Sequence, residues 1–143
     1  GRAFLYVELS RVPVALTSWP GVALWLISAT MAAKQIAEKL ISENAIAIFS
    51  KSYCPFCVRA KQVISGQNVD PSKIGTMELD EVSEGPAIQD VARIANSVQD
   101  YLAEKTGQRT VPNIFISGKH IGGCDDIMRA QQSGELQQLV GKL

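Results

Sequence analysis

Histidine is nearly missing from this chain: His120 is the only one in 143 residues. A zinc site would therefore have to be built on cysteine. Beyond a single Cys-x-x-Cys, the remaining donors are His120 and Cys124, without the second Cys-x-x-Cys that would complete a tetrahedral set. Net charge is missing too, because 14 basic residues balance 14 acidic ones. Nothing in that balance selects nucleic acid or an anionic membrane surface as a partner. Cysteine is scarce and odd in number, three in all, which excludes the disulfide framework of small secreted domains. A long hydrophobic run is lacking as well. The uncharged stretch from Val12 to Ile27 is too short for a secure bilayer span, and Pro13, Pro20 and Gly21 interrupt it. No stable membrane insertion is expected, and there is no internal repeat or low-complexity tract.

The length suits one hydrophobic core with an appendage. Residues 1–30, with Arg2 and Arg11 flanking a lone Glu8, have two readings: a cleavable secretory or organellar targeting segment, or an extension ahead of a start at Met31. Residues 31–143 form the folded domain in either case.

Within that domain the apolar spacing of Ile36, Leu40 and Ile41 predicts a helix over Ala32 to Glu43. Ala45 to Phe49 is a short apolar run suited to a buried central strand. Pro55 suits the first turn of a helix that Gly66 and Asn68 end. Lys73 to Leu79 reads as a second strand, parallel to the first across that helix. A helix is expected from Pro86 to Lys105, ended by Gly107. Asn113 to Ser117 and His120-Ile121 read as a hairpin about Gly118-Lys119. Gly122-Gly123 breaks the sheet, and one or two helices divided by Gly134 finish the chain. The order of elements predicts an α/β fold, a small mixed sheet covered by helices.

The chemistry is concentrated in Cys54-Pro55-Phe56-Cys57. With Cys54 at the N-cap and Pro55 at N1, Cys57 is one turn inside the helix. The two Cα atoms then lie about 5 to 6 Å apart, within disulfide range. Unpaired amides of the first turn and the helix dipole favour the thiolate at Cys54, with Lys51 as a nearby cation. Cys57, one turn in, is the resolving thiol. The competing readings are half of a zinc site or two inert core cysteines. His120, taken alone, is an exposed strand residue.

Three segments then combine: Lys51-Ser52-Tyr53-Cys54-Pro55-Phe56-Cys57, Thr110-Val111-Pro112 and Gly122-Gly123-Cys124-Asp125-Asp126. In order and spacing they resemble the dithiol glutaredoxins, from about Ala32 to Leu143. The resemblance implies a thioredoxin-like fold with a small mixed four-stranded sheet flanked by helices, and a cis peptide bond at Pro112. It implies no tightly bound cofactor and no metal, with glutathione as co-substrate. Tyr53, Thr110, Pro112, Gly123 and Cys124 would line the glutathione site. Val111 would pair its backbone with that of the cysteinyl residue. The amides behind Gly122-Gly123 would hold the γ-glutamyl carboxylate, Asp126 and Asp125 its ammonium, and Lys51 and Gln99 the glycyl carboxylate. Without the resemblance, Asp125 and Asp126 are helix caps, Lys51 and Gln99 are solvated polar residues, and Pro112 ends a strand.

The implied activity is reduction of protein–glutathione mixed disulfides and protein disulfides, with Cys54 as nucleophile and Cys57 as resolving thiol. Partners would be glutathione and such oxidised proteins, and the enzyme a monomer of the cytoplasm, or of a mitochondrion or other organelle if residues 1–30 are a targeting segment. The alternative is an iron–sulfur carrier in which Cys54 of two subunits and two glutathiones hold a cluster. Thioredoxin, a second rival, is disfavoured by the missing Trp-Cys-Gly-Pro-Cys pattern. Two departures stand out: Phe56 occupies a position where many members carry Tyr, and Glu81 to Ile94 is longer than the usual connection.

Overall fold

The computed structural model describes residues 31–81 and 88–143, and Ala33–Leu143 forms one compact unit. Residues 31–43 are helical (α1). After α1 come β1 (Ile46–Ser50), α2 (Pro55–Ser65), β2 (Ile74–Glu78), α3 (Ile88–Thr106), β3 (Asn113–Ile116), β4 (Lys119–Gly122), α4 (Cys124–Ser133) and α5 (Glu135–Gly141). The strands form one mixed sheet in the order β2-β1-β3-β4. β1 runs parallel to β2 and antiparallel to β3, and β3 is antiparallel to β4.

The period of two along β1 and β3 divides the core between the sheet's faces. Ala47, Phe49 and Phe115 pack with Ala33, Ala37 and Ile41 of α1 and Ala95, Val98 and Leu102 of α3. Ile46, Ile48, Ile114 and Ile116 pack on the other face with Ala60 and Ile64 of α2, Ile127 and Ala130 of α4 and Leu136 of α5. β1 is buried along its whole length because a helical layer covers each face, which is why its residues are nearly all apolar rather than alternating. α1 and α3 are also joined by polar contacts: Tyr101 Oη donates to Glu38, and Lys105 Nζ lies 2.9 Å from Glu38 Oε2. Burial, together with the Glu38 carboxylate, pushes the Tyr101 phenol up to about 12.

Most differences from the expected elements are small. β2 starts at Ile74 because Pro71–Lys73 forms a 3₁₀ turn, capped where Asp70 Oδ1 accepts from the Ser72 amide at 3.0 Å. The last strand takes in Lys119 and Gly122, and the helix after it opens at Cys124. The final segment is two helices, parted by Gly134 at φ +85°. The expected start of α3 at Pro86 and the leader or extension of residues 1–30 lie outside the described residues. No helix among the described residues is long and apolar enough to cross a membrane.

Candidate active site

Cys54 stands in extended conformation as the N-cap of α2, with φ −91° and ψ 117°, and Pro55 follows in the first turn. Its amide donates to the Lys51 carbonyl at 3.1 Å, and its carbonyl accepts from the Val58 amide at 3.2 Å. The loop and the helix therefore hold this residue from both sides. Cys54 is half-buried, whereas Cys57 is 0% exposed; both are free thiols. Burial pushes the Cys57 thiol up; the adjoining Cys54 sulfur adds to this, while hydrogen bonds from the Lys51 amide and the Ser50 hydroxyl oppose it. The two sulfurs thus differ in the way the helix position predicted, one accessible and one enclosed.

The loop ahead of Cys54 is braced by Asp80, just past the end of β2. Asp80 Oδ1 accepts from the Ser52 amide at 2.9 Å, and its other oxygen accepts from the Ser52 hydroxyl. These two bonds hold the Asp80 carboxyl below the usual carboxylate range. Tyr53, 72% exposed, projects from the loop, and Phe56 and Val58 are exposed nearby on α2.

A cleft of about 360 Å³ lies alongside. One wall is Thr110, Val111 and Pro112, with a cis bond between Val111 and Pro112. Facing it are Gly123, Cys124, Asp125 and Asp126 at the start of α4, together with Phe56. Cys54 itself is not among the lining residues, but Phe56, two positions on in α2, brings the start of that helix to the cleft. Seven residues singled out as candidate glutathione ligands are therefore brought together here: Thr110, Val111, Pro112, Gly123, Cys124, Asp125 and Asp126.

Gln99, Lys51 and Tyr53 do not line the cleft. Gln99 is buried, not a solvated polar residue. It is 6% exposed, and its Nε2 donates to the Arg109 carbonyl at 3.1 Å, so it props the loop from inside. The reason is helical geometry: Ala95, Val98, Gln99 and Leu102 follow the i, i+3, i+4, i+7 spacing of one inward face. Asp126 is committed too. Its Oδ2 accepts from the Gly123 amide at 2.9 Å, and its Oδ1 is paired with Arg129, the helix-cap reading. Asp125, by contrast, is exposed. Cys124 is buried, its Sγ 3.8 Å from Met128 Sδ, and burial pushes its thiol up.

Gln108, which sequence reasoning passed over, organises the cis-proline wall. Its Nε2 donates to the carbonyls of Thr110 at 3.1 Å and Pro112 at 2.9 Å. Buried Asn113 donates from Nδ2 to the Gln108 carbonyl at 3.2 Å, and its Oδ1 lies 2.8 Å from His120 Nε2. Since an amide oxygen only accepts, Nε2 carries the proton. His120 is accordingly half-buried, not an exposed strand residue. It packs against Phe115 with ring centroids 5.1 Å apart, and burial lowers its basicity. No group of three or more His, Cys, Asp or Glu among the described residues is placed to hold a metal. The missed residues had one available signal: Asp80 follows a strand parallel to β1, and the carboxyl ends of adjacent parallel strands gather at one edge.

Gly122 ends β4, one residue before the cleft-lining Gly123. Its φ is +125°, and a Cβ there would fall 2.3 Å from Asp126 Oδ2. Gly118, at φ +79°, has open space around it. Gly122→Ala is expected to destabilise the fold by about 1–3 kcal/mol through strain, and by about 1 kcal/mol more as Asp126 loses its cap. Gly118→Ala should bring only the backbone cost, about 1–2 kcal/mol. Urea unfolding of the pair checks this, and equal losses would show that Asp126 is not crowded.

A thiol-bearing helix start facing a cis-proline loop, on a four-stranded mixed sheet layered between helices, is the arrangement of a thioredoxin-fold thiol–disulfide oxidoreductase. The Glutaredoxin family model matches residues 46–121. Glutaredoxin-1 of Rhizophagus irregularis is 49% identical over 110 residues, which is 77% of this chain and 96% of the relative. Glutaredoxin-C4 of Arabidopsis thaliana is 38% identical over 138 residues, 96% of this chain and 91% of that one. Among solved structures, a buckwheat glutaredoxin–glutathione complex superposes with a TM-score of 0.68 at 36% identity, covering 80% of this chain and 93% of the other. The chain belongs to the glutaredoxin family, with the dithiol Cys54-Pro55-Phe56-Cys57 as its active-site sequence. It is a glutathione-dependent thiol–disulfide oxidoreductase.

Proposed function

We propose that the enzyme reduces protein–glutathione mixed disulfides through Cys54 alone and protein disulfides through Cys54 and Cys57 together. In the first reaction the Cys54 thiolate attacks the glutathione sulfur. A Cys54–glutathione disulfide forms, the substrate disulfide breaks and the protein thiolate leaves. A second glutathione thiolate then attacks that mixed disulfide, releasing oxidised glutathione and restoring Cys54. In the second reaction Cys54 attacks a protein disulfide, Cys57 displaces the protein thiol, and glutathione reopens the internal bond. The observation that carries this reading is the contrast between the two sulfurs: Cys54 half-buried at the start of α2, Cys57 fully buried one turn inside it.

Glutathione would lie along the cleft, with the Val111 backbone pairing to its cysteinyl residue as an added strand does. Its γ-glutamyl carboxylate would face the amides that open α4, with Asp125 facing the ammonium. Asp125 is the better placed of the two aspartates because the Asp126 carboxylate already holds Gly123 and Arg129. Lys51 would supply the cation for the glycyl carboxylate. The Gly122–Asp126 turn supports this assignment because it puts amides and a carboxylate at one end of the cleft. The buckwheat relative in complex with glutathione supports the ligand. The reading is of a monomer without a tightly bound cofactor, working in the cytoplasm, or in an organelle if residues 1–30 direct it there.

Glutathione-coupled turnover of a mixed disulfide between glutathione and a small thiol tests the proposal. The expected result is ping-pong kinetics with glutathione as reductant, and a colourless protein after anaerobic purification. Turnover served only by a thioredoxin-type reductase would sink it. So would a cluster absorbance that accounts for both thiols, which would favour the iron–sulfur carrier.

A further inference from the structure

Residues 108–112 lie between α3 and β3 and belong to neither, so their carbonyls have no helix or strand ladder to enter. Carbonyls in that position need side-chain or solvent partners. All but one of them accept from side-chain amides. Asn113 Nδ2 donates to the Gln108 carbonyl at 3.2 Å, and Gln99 Nε2 to that of Arg109 at 3.1 Å. Gln108 Nε2 serves two, Thr110 at 3.1 Å and Pro112 at 2.9 Å. The exception is Val111. Among the described residues neither its amide nor its carbonyl has a hydrogen-bond partner, and it lines the cleft. Gln108 is the centre of this arrangement. A carboxamide nitrogen carries two N–H donors, and Gln108 spends both on the carbonyls that flank Val111. Its own backbone is anchored as well: its amide donates to Thr106 Oγ1 at 3.1 Å, and that hydroxyl donates to the Leu102 carbonyl of α3 at 2.7 Å. Gln108 also lines the cleft, and its Nε2 lies 3.5 Å from where a Cβ on Gly123 would stand. The carboxamide thus reaches from one wall to the start of the other.

We propose that Gln108 sets the enzyme's preference for glutathione disulfides by fixing the backbone on both sides of Val111, an inference that rests on glutathione lying against Val111. With the carbonyls before and after it held by one side chain, Val111 presents its amide and carbonyl at a constant spacing and direction. A peptide backbone then pairs with them as an added strand does, without first having to order the loop. A disulfide that carries no peptide gains nothing from that order. Gln108 is therefore a positioning residue: it acts through Val111, and the chemistry at the Cys54 sulfur proceeds without it.

The test follows oxidation of the reduced full chain, without added thiol, by glutathione disulfide and by mercaptoethanol disulfide, which has no peptide groups. Gln108→Met keeps the length of the side chain and removes both donors. It is expected to slow the reaction with glutathione disulfide about tenfold or more, while the reaction with mercaptoethanol disulfide and the alkylation of Cys54 by iodoacetamide keep the parent rates. Thr106→Val, which loosens the Gln108 backbone from outside the cleft, should show the same selective loss at about threefold. Equal rates of parent and Gln108→Met with glutathione disulfide overturn the proposal. So does an equal loss with all three reagents, the mark of general damage to the site. Should Gln108→Met fail to fold, Thr106→Val decides, and an undiminished preference there overturns the proposal. A parent enzyme that does not prefer glutathione disulfide to mercaptoethanol disulfide overturns the reading of the cleft itself, and the role of Gln108 with it.

Discussion

A Cys57→Ser enzyme is expected to keep its glutathione-coupled turnover of small mixed disulfides while losing reduction of protein disulfides, and Cys54→Ser is expected to lose both. The physical basis is access. Cys54 is half-buried at the helix start, so an incoming glutathione can clear a mixed disulfide from it without help. Cys57 is enclosed, and its one reachable target is the sulfur beside it. A protein disulfide attacked by Cys54 leaves a bulky adduct over the cleft, where a second glutathione meets the substrate chain before it meets the sulfur. Expulsion from inside, by Cys57, avoids that obstruction. Paired assays on a small glutathione mixed disulfide and on a disulfide-bonded protein separate the two roles. If Cys57→Ser retains both activities, or Cys54→Ser retains either, the division of labour fails.

Phe115→Ala should cause a large loss of stability among single substitutions, about 3–5 kcal/mol. Its ring is buried, edge-on to Phe49 with centroids 6.0 Å apart and tilted against His120. Truncation would leave a void between the sheet and the layer formed by α1 and α3. It would also take away the packing behind β3, the strand that follows directly from the cis-proline wall. Domains of this size are stable by only about 5–15 kcal/mol, so the loss takes a large part of the total. Denaturant unfolding measures it, with Val58→Ala on the exposed face of α2 as a control expected within about 0.5 kcal/mol. A Phe115→Ala loss below about 1 kcal/mol would mean that this cluster does not hold the sheet to its helices.

Three things could be read along the chain because they depend on near neighbours. Proline is favoured at the first position of a helix, so Pro55, ahead of a helical run ended by Gly66 and Asn68, put the Cys54 sulfur at the N-cap. The apolar run at Ala45 to Phe49 marked a strand covered on both faces. The three motif segments, each a short local pattern, also pointed to their cleft through their resemblance to the dithiol glutaredoxins. What folding alone decided is which polar side chains are spent inside. Gln99 and Asp126, expected to meet glutathione, each have a partner within the fold: the helical period of α3 turns Gln99 toward the Arg109 carbonyl, and the Asp126 carboxylate meets Gly123 and Arg129. Gln108 and Asp80 looked ordinary and became partners of the loops, while Ser50 and Glu78 pair with each other across β1 and β2. Hydrogen-bond pairing between residues about thirty positions apart depends on strand register and on which group each donor meets first, and a linear pattern records neither.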